Sequence, residues 1–316
     1  MESLKAEKIH LYVPIFGFQS SFQIILNERG EVTIYYAIIA AVFYAINMPV
    51  SKILLSEIEP TMMASLLYFG AGIGIGIIYL FSKGKRKDNE KLTKKDLPYT
   101  LGMIGLDIAA PIFLMCGLAN TTSANASLLN NFEIVATSLI AMAIFKEMIS
   151  KRIWGAIVLI TVSTMILSFE NASSLTFSWG SCLVLLATLC WGFENNCTRK
   201  ISSKNTYQIV AIKGIFSGMG SLVIAILVGE RMPKIGYLVI ALLLGFVAYG
   251  LSIFFYIKAQ NELGAAKTSA YYAIAPFVGV FFSFVFLKET MTINYVIALL
   301  IMIIGSFMVV SDTIRN

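Results

Sequence analysis

The sequence is organised around TTSANASLLNNFEIVATSLIAMAIFKE, which runs from Thr121 to Glu147. Between Ala124 and Phe145 this stretch contains no Lys, Arg, Pro or Gly. About 25 residues of helix rise roughly 37 Å, which is enough to cross a bilayer core of about 30 Å. Glu133 lies near the middle, where the surrounding solvent would be hydrocarbon. The pattern predicts a membrane-spanning helix that contains a buried acid.

A second stretch, AAKTSAYYAIAPFVGVFFSFVFLKE from Ala265 to Glu289, repeats the pattern 142 positions later. Four residues of the first stretch recur at the matching positions of the second: Ala124, Ser127, Lys146 and Glu147 as Ala266, Ser269, Lys288 and Glu289. Glu133 falls opposite Ala275, so the acid occurs in only one copy. An internal repeat of membrane helices is typical of transporters.

The composition is that of a multi-span membrane protein. Of the 316 residues, 58% are hydrophobic and 13% charged, and the mean hydropathy is +0.80, whereas soluble domains are about half apolar and a quarter charged. The four cysteines lie within apolar runs, and the single histidine, His10, has no neighbour at metal-ligand spacing. We therefore expect no disulfide scaffold, no metal and no cofactor. The basic loop from Lys83 to Asp96 lacks interleaved aromatic residues, so a nucleic-acid partner is not expected either.

Ten apolar segments follow an N-terminal segment, residues 1–32. The N-terminal segment is aromatic and amphipathic, and it either lies along the membrane interface or is a leader. The ten predicted spans lie near residues 33–53, 61–82, 97–119, 121–145, 153–169, 178–198, 207–229, 235–257, 267–287 and 292–311.

The loop charges predict the orientation of these spans. With the amino terminus inside, 19 of the 24 Lys and Arg residues fall on the cytoplasmic side and four on the other. Both termini are therefore expected in the cytoplasm, in the inner or plasma membrane of the cell. Five spans per half is an odd number, so two copies, residues 33–170 and 171–316, are expected to insert in opposite orientations.

Short motifs occur in duplicate along these spans. Thr122-Ser123-Ala124 and Thr268-Ser269-Ala270 open the fourth and ninth segments, Lys146-Glu147 and Lys288-Glu289 end them, and Trp191-Gly192 lies in the sixth. With these motifs, over residues 33–311, the chain resembles the EamA type of the drug/metabolite transporter superfamily. The resemblance implies an all-α membrane protein of ten transmembrane helices in two inverted five-helix repeats. It also implies a substrate cavity lined by the first, third, fourth, sixth, eighth and ninth helices, and it leaves the cargo open.

Four charged residues lie well inside the predicted spans: Asp107, Glu133, Glu194 and Lys213. Each would cost about 2.5–3.5 kcal/mol at a helix centre facing lipid, so we expect them to face protein, water or each other. Counting from the helix ends places Asp107 and Glu133 near the midplane, and Glu194 and Lys213 at a shared depth nearer the cytoplasm. The second pair predicts a structural ion pair, with snorkelling of Lys213 to the interface as the alternative.

Glu133 is the leading candidate for a functional residue because Asn130 and Thr137 extend a polar stripe along its helix face. It either binds a cationic group of the substrate or carries a coupling proton, and a purely structural hydrogen-bond network is the alternative. Asp107 is the second candidate. Further candidates lie on the helix face of an acid, namely Asn130 beside Glu133, and Trp191 and Asn195 beside Glu194, which is itself a candidate. Asn47 is the equivalent of Glu194 in the other copy, and Tyr271 and Tyr272 offer rings to a cationic cargo.

These features predict a secondary-active transporter, not an enzyme. We expect it to export a small organic metabolite, such as an amino acid, amine or organic cation, by alternating access driven by a proton or substrate gradient. A membrane sensor or scaffold without net flux is one alternative. An intramembrane enzyme is another, although the sequence has no GxGD-type motif and no second Asp in the spans. The expected partners are the small-molecule substrate and membrane lipid, and a homodimer is left open.

Overall fold

The computed structural model describes residues 28–81, 91–146, 148–171, 176–263, 268 and 271–315. Predictions for residues 1–27, for residues 82–90 of the basic loop, and for Glu147, Ser269 and Ala270 lie outside the described residues. The described chain is helical almost throughout. One short antiparallel pair of strands, β1 (Phe169–Asn171) and β2 (Thr176–Phe177), pairs Phe169 with Phe177 between two of the helices.

The helices follow one another with short connections. In chain order they are α1 (Glu28–Ala45), α2 (Asn47–Leu54), α3 (Pro60–Phe81), α4 (Leu97–Ala119), α5 (Ser123–Leu129), α6 (Phe132–Phe145), α7 (Lys151–Ser168), α8 (Trp179–Ile201), α9 (Thr206–Leu227), α10 (Ile235–Leu244), α11 (Ser252–Leu263), α12 (Ala275–Leu287) and α13 (Ile293–Arg315). A π-helical segment, Gly245–Leu251, joins α10 to α11. A short 3₁₀ turn, Lys94–Asp96, precedes α4.

Eight helical stretches within the described residues are long and apolar enough to cross a membrane, by length and composition. The sequence predicted ten spans, and the two that are not among these eight have specific features. The sixth corresponds to α8, which is 23 residues long but contains Glu194, Asn195 and Asn196. The ninth corresponds to α12, an apolar helix of 13 residues. The number ten therefore stays a prediction.

The predicted fourth span is not one continuous helix. The Asn131 N–H bonds to the Leu128 carbonyl at 3.0 Å and the Glu133 N–H to the Asn130 carbonyl at 3.1 Å, each three residues back instead of four. Two successive asparagines favour such a tightened turn, because their side chains compete for backbone hydrogen bonds. As a result α5 and α6 are separate, and Glu133 lies in the first turn of α6.

The start and end of α12 resemble those of α6. Pro276, which has no N–H to donate, lies in the first turn of α12 and favours a helix start there. Both helices end at a lysine with a left-handed backbone, Lys146 with φ 54° and Lys288 with φ 52°. The two stretches that are similar in sequence are therefore interrupted and terminated at matching places.

The principal helix contacts join the first half of the chain to the second. The contacting pairs are α3 with α9, α4 with α8, α7 with α13, α1 with α11, α6 with α8, and α5 with α12. The α3–α9 pair is in direct backbone contact, since a Cβ added to Gly214 would lie 2.3 Å from the Gly72 nitrogen. The core lies between these pairs, and the functional side chains described below project into it.

Candidate functional site

Three buried charged side chains from three helices meet at one point. Lys213 Nζ on α9 lies 3.0 Å from Asp107 Oδ2 on α4 and 2.9 Å from Glu194 Oε1 on α8. Asp107 is 0% exposed, Glu194 2% and Lys213 4%. The sequence predicted an ion pair of Glu194 and Lys213, with Asp107 nearer the midplane, and the structure adds Asp107 to that pair. α8 continues to Ile201, which places Glu194 further from the helix end than the sequence predicted. We refer to Asp107, Glu194 and Lys213 as the charge triad.

Two hydroxyl groups complete the surroundings of the triad. The Tyr68 hydroxyl on α3 donates to Asp107 Oδ1 at 2.7 Å, and the Thr198 hydroxyl donates to Glu194 Oε1. Asp107 Oδ2, in contrast, accepts no hydrogen bond of good geometry from the described residues, although the ammonium is close. With all three groups ionised, two carboxylates share one ammonium, so the triad has a net charge of −1.

Glu133 is held by a neutral amide. Its Oε1 accepts a hydrogen bond from Asn195 Nδ2 at 2.6 Å, and the same nitrogen lies 3.4 Å from Thr137 Oγ1. This contact depends on the close approach of α6 and α8. A Cβ added to Gly192, one turn before Asn195, would lie 2.6 Å from the Ala136 Cβ. Glycine at position 192 therefore brings Asn195 within reach of the acid.

A cavity of about 240 Å³ lies beside Glu133, between α6, α8, α11 and α12. Its polar lining includes Asn130, Asn131, Glu133, Thr137, Asn195 and Gln260. The cavity reaches Met148, which is 99% exposed, and Arg199 near the end of α8. It therefore connects Glu133 to the end of the molecule that the loop charges predict to be cytoplasmic.

A smaller cavity of about 60 Å³ lies between Glu133 and the charge triad. Glu133, Asn195, Tyr256 and Tyr272 line both cavities, and Glu194 and Lys213 line the smaller one. The rest of its wall is largely aromatic: Tyr44, Tyr68, Trp191 and Tyr249. The Tyr44 ring centroid is 5.9 Å from those of Tyr249 and Tyr272 and 6.4 Å from that of Trp191.

At the opposite end of the molecule two charged side chains, Lys52 and Glu289, link helix ends where they line an open pocket of about 520 Å³. Lys52 Nζ donates to the carbonyls of Leu118 at 2.7 Å and Thr121 at 2.7 Å. Glu289 accepts the N–H groups of Ser123 at 2.7 Å and Ala124 at 2.8 Å, at the start of α5. These contacts tie α2, the α4–α5 connection and the α12–α13 connection together. We refer to them as the outer closure.

The structure places the residues singled out in the sequence as follows. Glu133, Asn130, Asn195 and Tyr272 line the larger cavity. Glu133, Glu194, Asn195, Trp191 and Tyr272 line the smaller one, and Asp107 lies behind Glu194 and Lys213. Asn47 is fully buried, and its amide donates to the Tyr249 hydroxyl at 3.2 Å. Tyr271 is half-buried and lies outside the walls of both cavities.

Sequence reasoning missed Tyr44, Tyr68, Tyr249, Tyr256 and Gln260. The available signal was a set of tyrosines within otherwise apolar spans, because a buried tyrosine hydroxyl needs a polar partner. Within the described residues, no group of three or more His, Cys, Asp or Glu side chains is placed to hold a metal ion. The arrangement instead offers a carboxylate, amides and aromatic rings to an organic solute.

Known proteins resemble this chain along most of its length. The sequence model of the EamA-like transporter family matches residues 32–169 and again residues 178–311. An uncharacterized transporter of Methanothermobacter thermautotrophicus is 27% identical over 293 residues, covering 86% of this chain and 84% of that protein. The uncharacterized transporter YyaM of Bacillus subtilis is 22% identical over 254 residues, covering 77% of this chain and 82% of that protein.

The fold has a counterpart among solved structures. One crystal structure superposes with a TM-score of 0.65 at 16% sequence identity, covering 91% of this chain and 97% of that one. At this identity the likeness concerns the fold alone. The two family matches span most of the chain and confirm the resemblance drawn from the duplicated motifs. This multi-pass membrane protein therefore belongs to the EamA-like transporter family.

Proposed function

We propose that the protein is a secondary-active carrier of a small amine-bearing or cationic metabolite, and that Glu133 binds the positive group. The observation that carries this proposal is the position of Glu133: a carboxylate held by an amide, at the junction of an open cavity and an inner one. An acid in a membrane span is costly, and such residues usually serve binding or ion transfer. A cavity of about 240 Å³ suits a small solute.

The aromatic wall supports the same substrate class. Tyr44, Trp191 and Tyr272 surround the inner cavity next to Glu133. Aromatic faces attract organic cations, and the attraction strengthens when the cation is desolvated. Asn130 and Gln260 add neutral hydrogen-bonding groups for other parts of the solute. This combination of a carboxylate, aromatic faces and neutral amides suits amines, amino acids and organic cations better than anions.

The proposed architecture is ten transmembrane helices in two inverted five-helix repeats, residues 33–170 and 171–316. Exchanging the two halves maps the α4–α8 contact onto α1–α11 and the α6–α8 contact onto α1–α12, and it maps α3–α9, α7–α13 and α5–α12 onto themselves. This is expected for two copies around a pseudo-two-fold axis. Tyr44 and Trp191 occupy equivalent positions 147 residues apart, and their rings contact each other at 6.4 Å. A contact between equivalent residues is expected where such an axis passes. The family model matches each half separately.

Transport would proceed by alternating access, and the described conformation corresponds to a state open to the cytoplasm. The larger cavity reaches solvent at the end where the predicted cytoplasmic loops lie, while the outer closure links helix ends at the other end. Loading from the cytoplasm favours export, driven by a proton or substrate gradient. The charge bias of the loops favours a cell-membrane location with both termini in the cytoplasm.

The proposal is tested with purified protein. A thermal-shift screen against amino acids, polyamines, nucleosides and cationic dyes selects a ligand, and uptake of the labelled ligand is then measured in proteoliposomes. Glu133→Gln is expected to abolish uptake with an unchanged circular dichroism spectrum. The matched control is Glu57→Gln, which makes the same chemical change at an exposed position and is expected to leave uptake unchanged.

Two outcomes would contradict the proposal. Normal uptake by Glu133→Gln would remove this residue from the mechanism. A ligand that binds to the wild-type protein and is never moved would instead indicate a sensor.

A further inference from the structure

The charge triad has one negative charge more than its single cation balances. Asp107 and Glu194 share Lys213, and all three are nearly or fully buried. An unbalanced charge is expensive in a protein interior within a membrane. A single proton on one carboxyl group removes the imbalance.

The two carboxylates differ in their hydrogen bonds. Glu194 Oε1 already accepts the Thr198 hydroxyl and contacts the ammonium at 2.9 Å. Asp107 Oδ1 accepts the Tyr68 hydroxyl, but Oδ2 accepts no hydrogen bond of good geometry from the described residues. Each carboxylate therefore still has a lone pair for a proton. Lys213 would then neutralise the other carboxylate alone.

The inner cavity provides a route for the proton. Its volume of about 60 Å³ is enough for a few water molecules, and its walls include Glu133, Glu194 and Lys213. Glu133 also lines the larger cavity, which reaches solvent. Water in these two cavities would connect the triad to the cytoplasmic side. Other titratable groups in this region are Tyr68, Tyr249, Tyr44, Tyr256, Tyr272, Cys190 and Cys197.

The triad also lies where two helix pairs meet. Both carboxylates belong to the α4–α8 pair, whereas Lys213 and the Tyr68 hydroxyl belong to the α3–α9 pair. Movement of one pair relative to the other would withdraw the ammonium from both carboxylates together. Two neighbouring carboxylates without a cation would bind a proton more tightly. Proton binding and helix movement are therefore linked at this position.

From these observations we infer that the charge triad is the coupling-proton site of the carrier, with Asp107 and Glu194 sharing one proton. This site is distinct from Glu133, which binds the cargo. The inference rests on the proposed transport function, but its first test requires neither transport nor substrate.

The first test uses the proton itself as the probe. Full-length protein in lipid nanodiscs is titrated while infrared difference spectra record the C=O stretch of protonated carboxyl groups. We expect the wild-type protein to gain a protonated carboxyl that both Asp107→Asn and Glu194→Gln lack, because either amide leaves one carboxylate balanced by Lys213. Glu133→Gln should retain this band. A titration of Asp107→Asn and Glu194→Gln identical to that of the wild type would overturn the inference.

The second test measures coupling in proteoliposomes that contain a trapped pH-sensitive dye. Choline is the probe, because its quaternary ammonium has no proton to lose and any proton movement belongs to the protein. We expect choline-driven proton movement to fall at least tenfold in Asp107→Asn and Glu194→Gln. Choline counterflow without a pH gradient should change less than threefold in Asp107→Asn, because Asp107 lines neither cavity. Glu133→Gln should lose both activities.

Each failure has its own meaning. Undiminished proton movement in both triad variants, or loss of counterflow in Asp107→Asn, would overturn the assignment of the triad as proton site. A wild-type protein that does not move choline would exclude choline as its cargo, and the infrared titration would still decide the proton site.

Discussion

In the proposed alternating-access cycle, the outer closure makes the balance between inward-open and outward-open states depend on one carboxylate, that of Glu289. Glu289 accepts the N–H groups of Ser123 and Ala124 at 2.7 and 2.8 Å. Hydrogen bonds to a charged group are worth about 1.5–3 kcal/mol each, and neutral ones about 0.5–1.5 kcal/mol. Glu289→Gln retains one neutral acceptor and turns an amide NH₂ toward the other N–H. The two charged bonds together are worth about 3–6 kcal/mol, and the low end applies because Glu289 is only half-buried. We therefore expect a loss of about 2 kcal/mol, which corresponds to about a 30-fold shift toward the outward-open state.

The assay is cysteine accessibility from the outside. The four native cysteines, Cys116, Cys182, Cys190 and Cys197, are replaced by serine. Ser127→Cys then serves as reporter, because Ser127 is 1% exposed and lies one helical turn below Ser123. In cells, a membrane-impermeant maleimide should label this cysteine about 30-fold faster when Glu289→Gln is added. Lys52→Met, which removes the donor to the Leu118 and Thr121 carbonyls, should also accelerate labelling.

Glu230→Gln is a closely matched control. Glu230 accepts the N–H groups of Thr61 at 3.1 Å and Met62 at 2.5 Å, at the start of α3, so its substitution makes the same chemical change at another helix start. It links the α9–α10 connection to α3, and α3 already packs closely on α9. We expect it to change the labelling rate less than threefold. Equal acceleration by both variants, or no acceleration by Glu289→Gln, would refute the reasoning.

Three further predictions concern the inner site and the helix packing. Asn195→Leu removes the donor to Glu133 and should weaken ligand binding about tenfold in a thermal-shift titration, the low end of the value for a hydrogen bond to a charged group. Gly214→Val should destabilise the protein by about 1–3 kcal/mol in detergent unfolding, because the new Cβ would lie 2.3 Å from the Gly72 nitrogen. Gly76→Ala is the control and should not destabilise the protein, because a Cβ at position 76 meets no atom within 4 Å. Lys213→Met leaves two buried carboxylates without a cation and should lower the free energy of unfolding by about 3–5 kcal/mol. The triple variant that also carries Asp107→Asn and Glu194→Gln has no buried charge in the triad and should regain the lost stability. Equal stability of Lys213→Met and the triple variant would contradict this last prediction.

Hydrophobic patterning anticipated much of the architecture because each span is a local property of the sequence. The helix boundaries lie close to the predicted segment ends in most cases, for example α4 at Leu97–Ala119 against residues 97–119. The interruption at Asn130 and Asn131 was not anticipated, since an apolar count does not register a change of hydrogen-bond pattern within a span. That interruption places Glu133 in the first turn of a helix instead of the middle of one.

The partners of Asp107 could not be predicted from the sequence, for a different reason. Periodicity assigns a residue to a face of its own helix, but contacts between helices also depend on their rotation and relative height. Asp107, Glu194 and Lys213 belong to three helices, and a shift of α8 by one turn would move Glu194 by about 5.4 Å relative to the other two. The same holds for Tyr44 and Tyr249, whose positions beside the acids follow from the packing of α1 against the π-helical segment and α11.

The equivalent positions in the other half of the chain argue that the charges of the triad are not required by the fold. At the offsets of the proposed repeat, Asp107 corresponds to Tyr249, Glu194 to Asn47 and Lys213 to Ala71. Asn47 and Tyr249 contact each other through a neutral hydrogen bond of 3.2 Å, and Ala71 is 1% exposed. The same helix junction is thus satisfied in one half without any ionised group. Because replacing a buried ion cluster by neutral groups is often neutral or stabilising, retention of three charges in the other half is better explained by proton transfer than by packing.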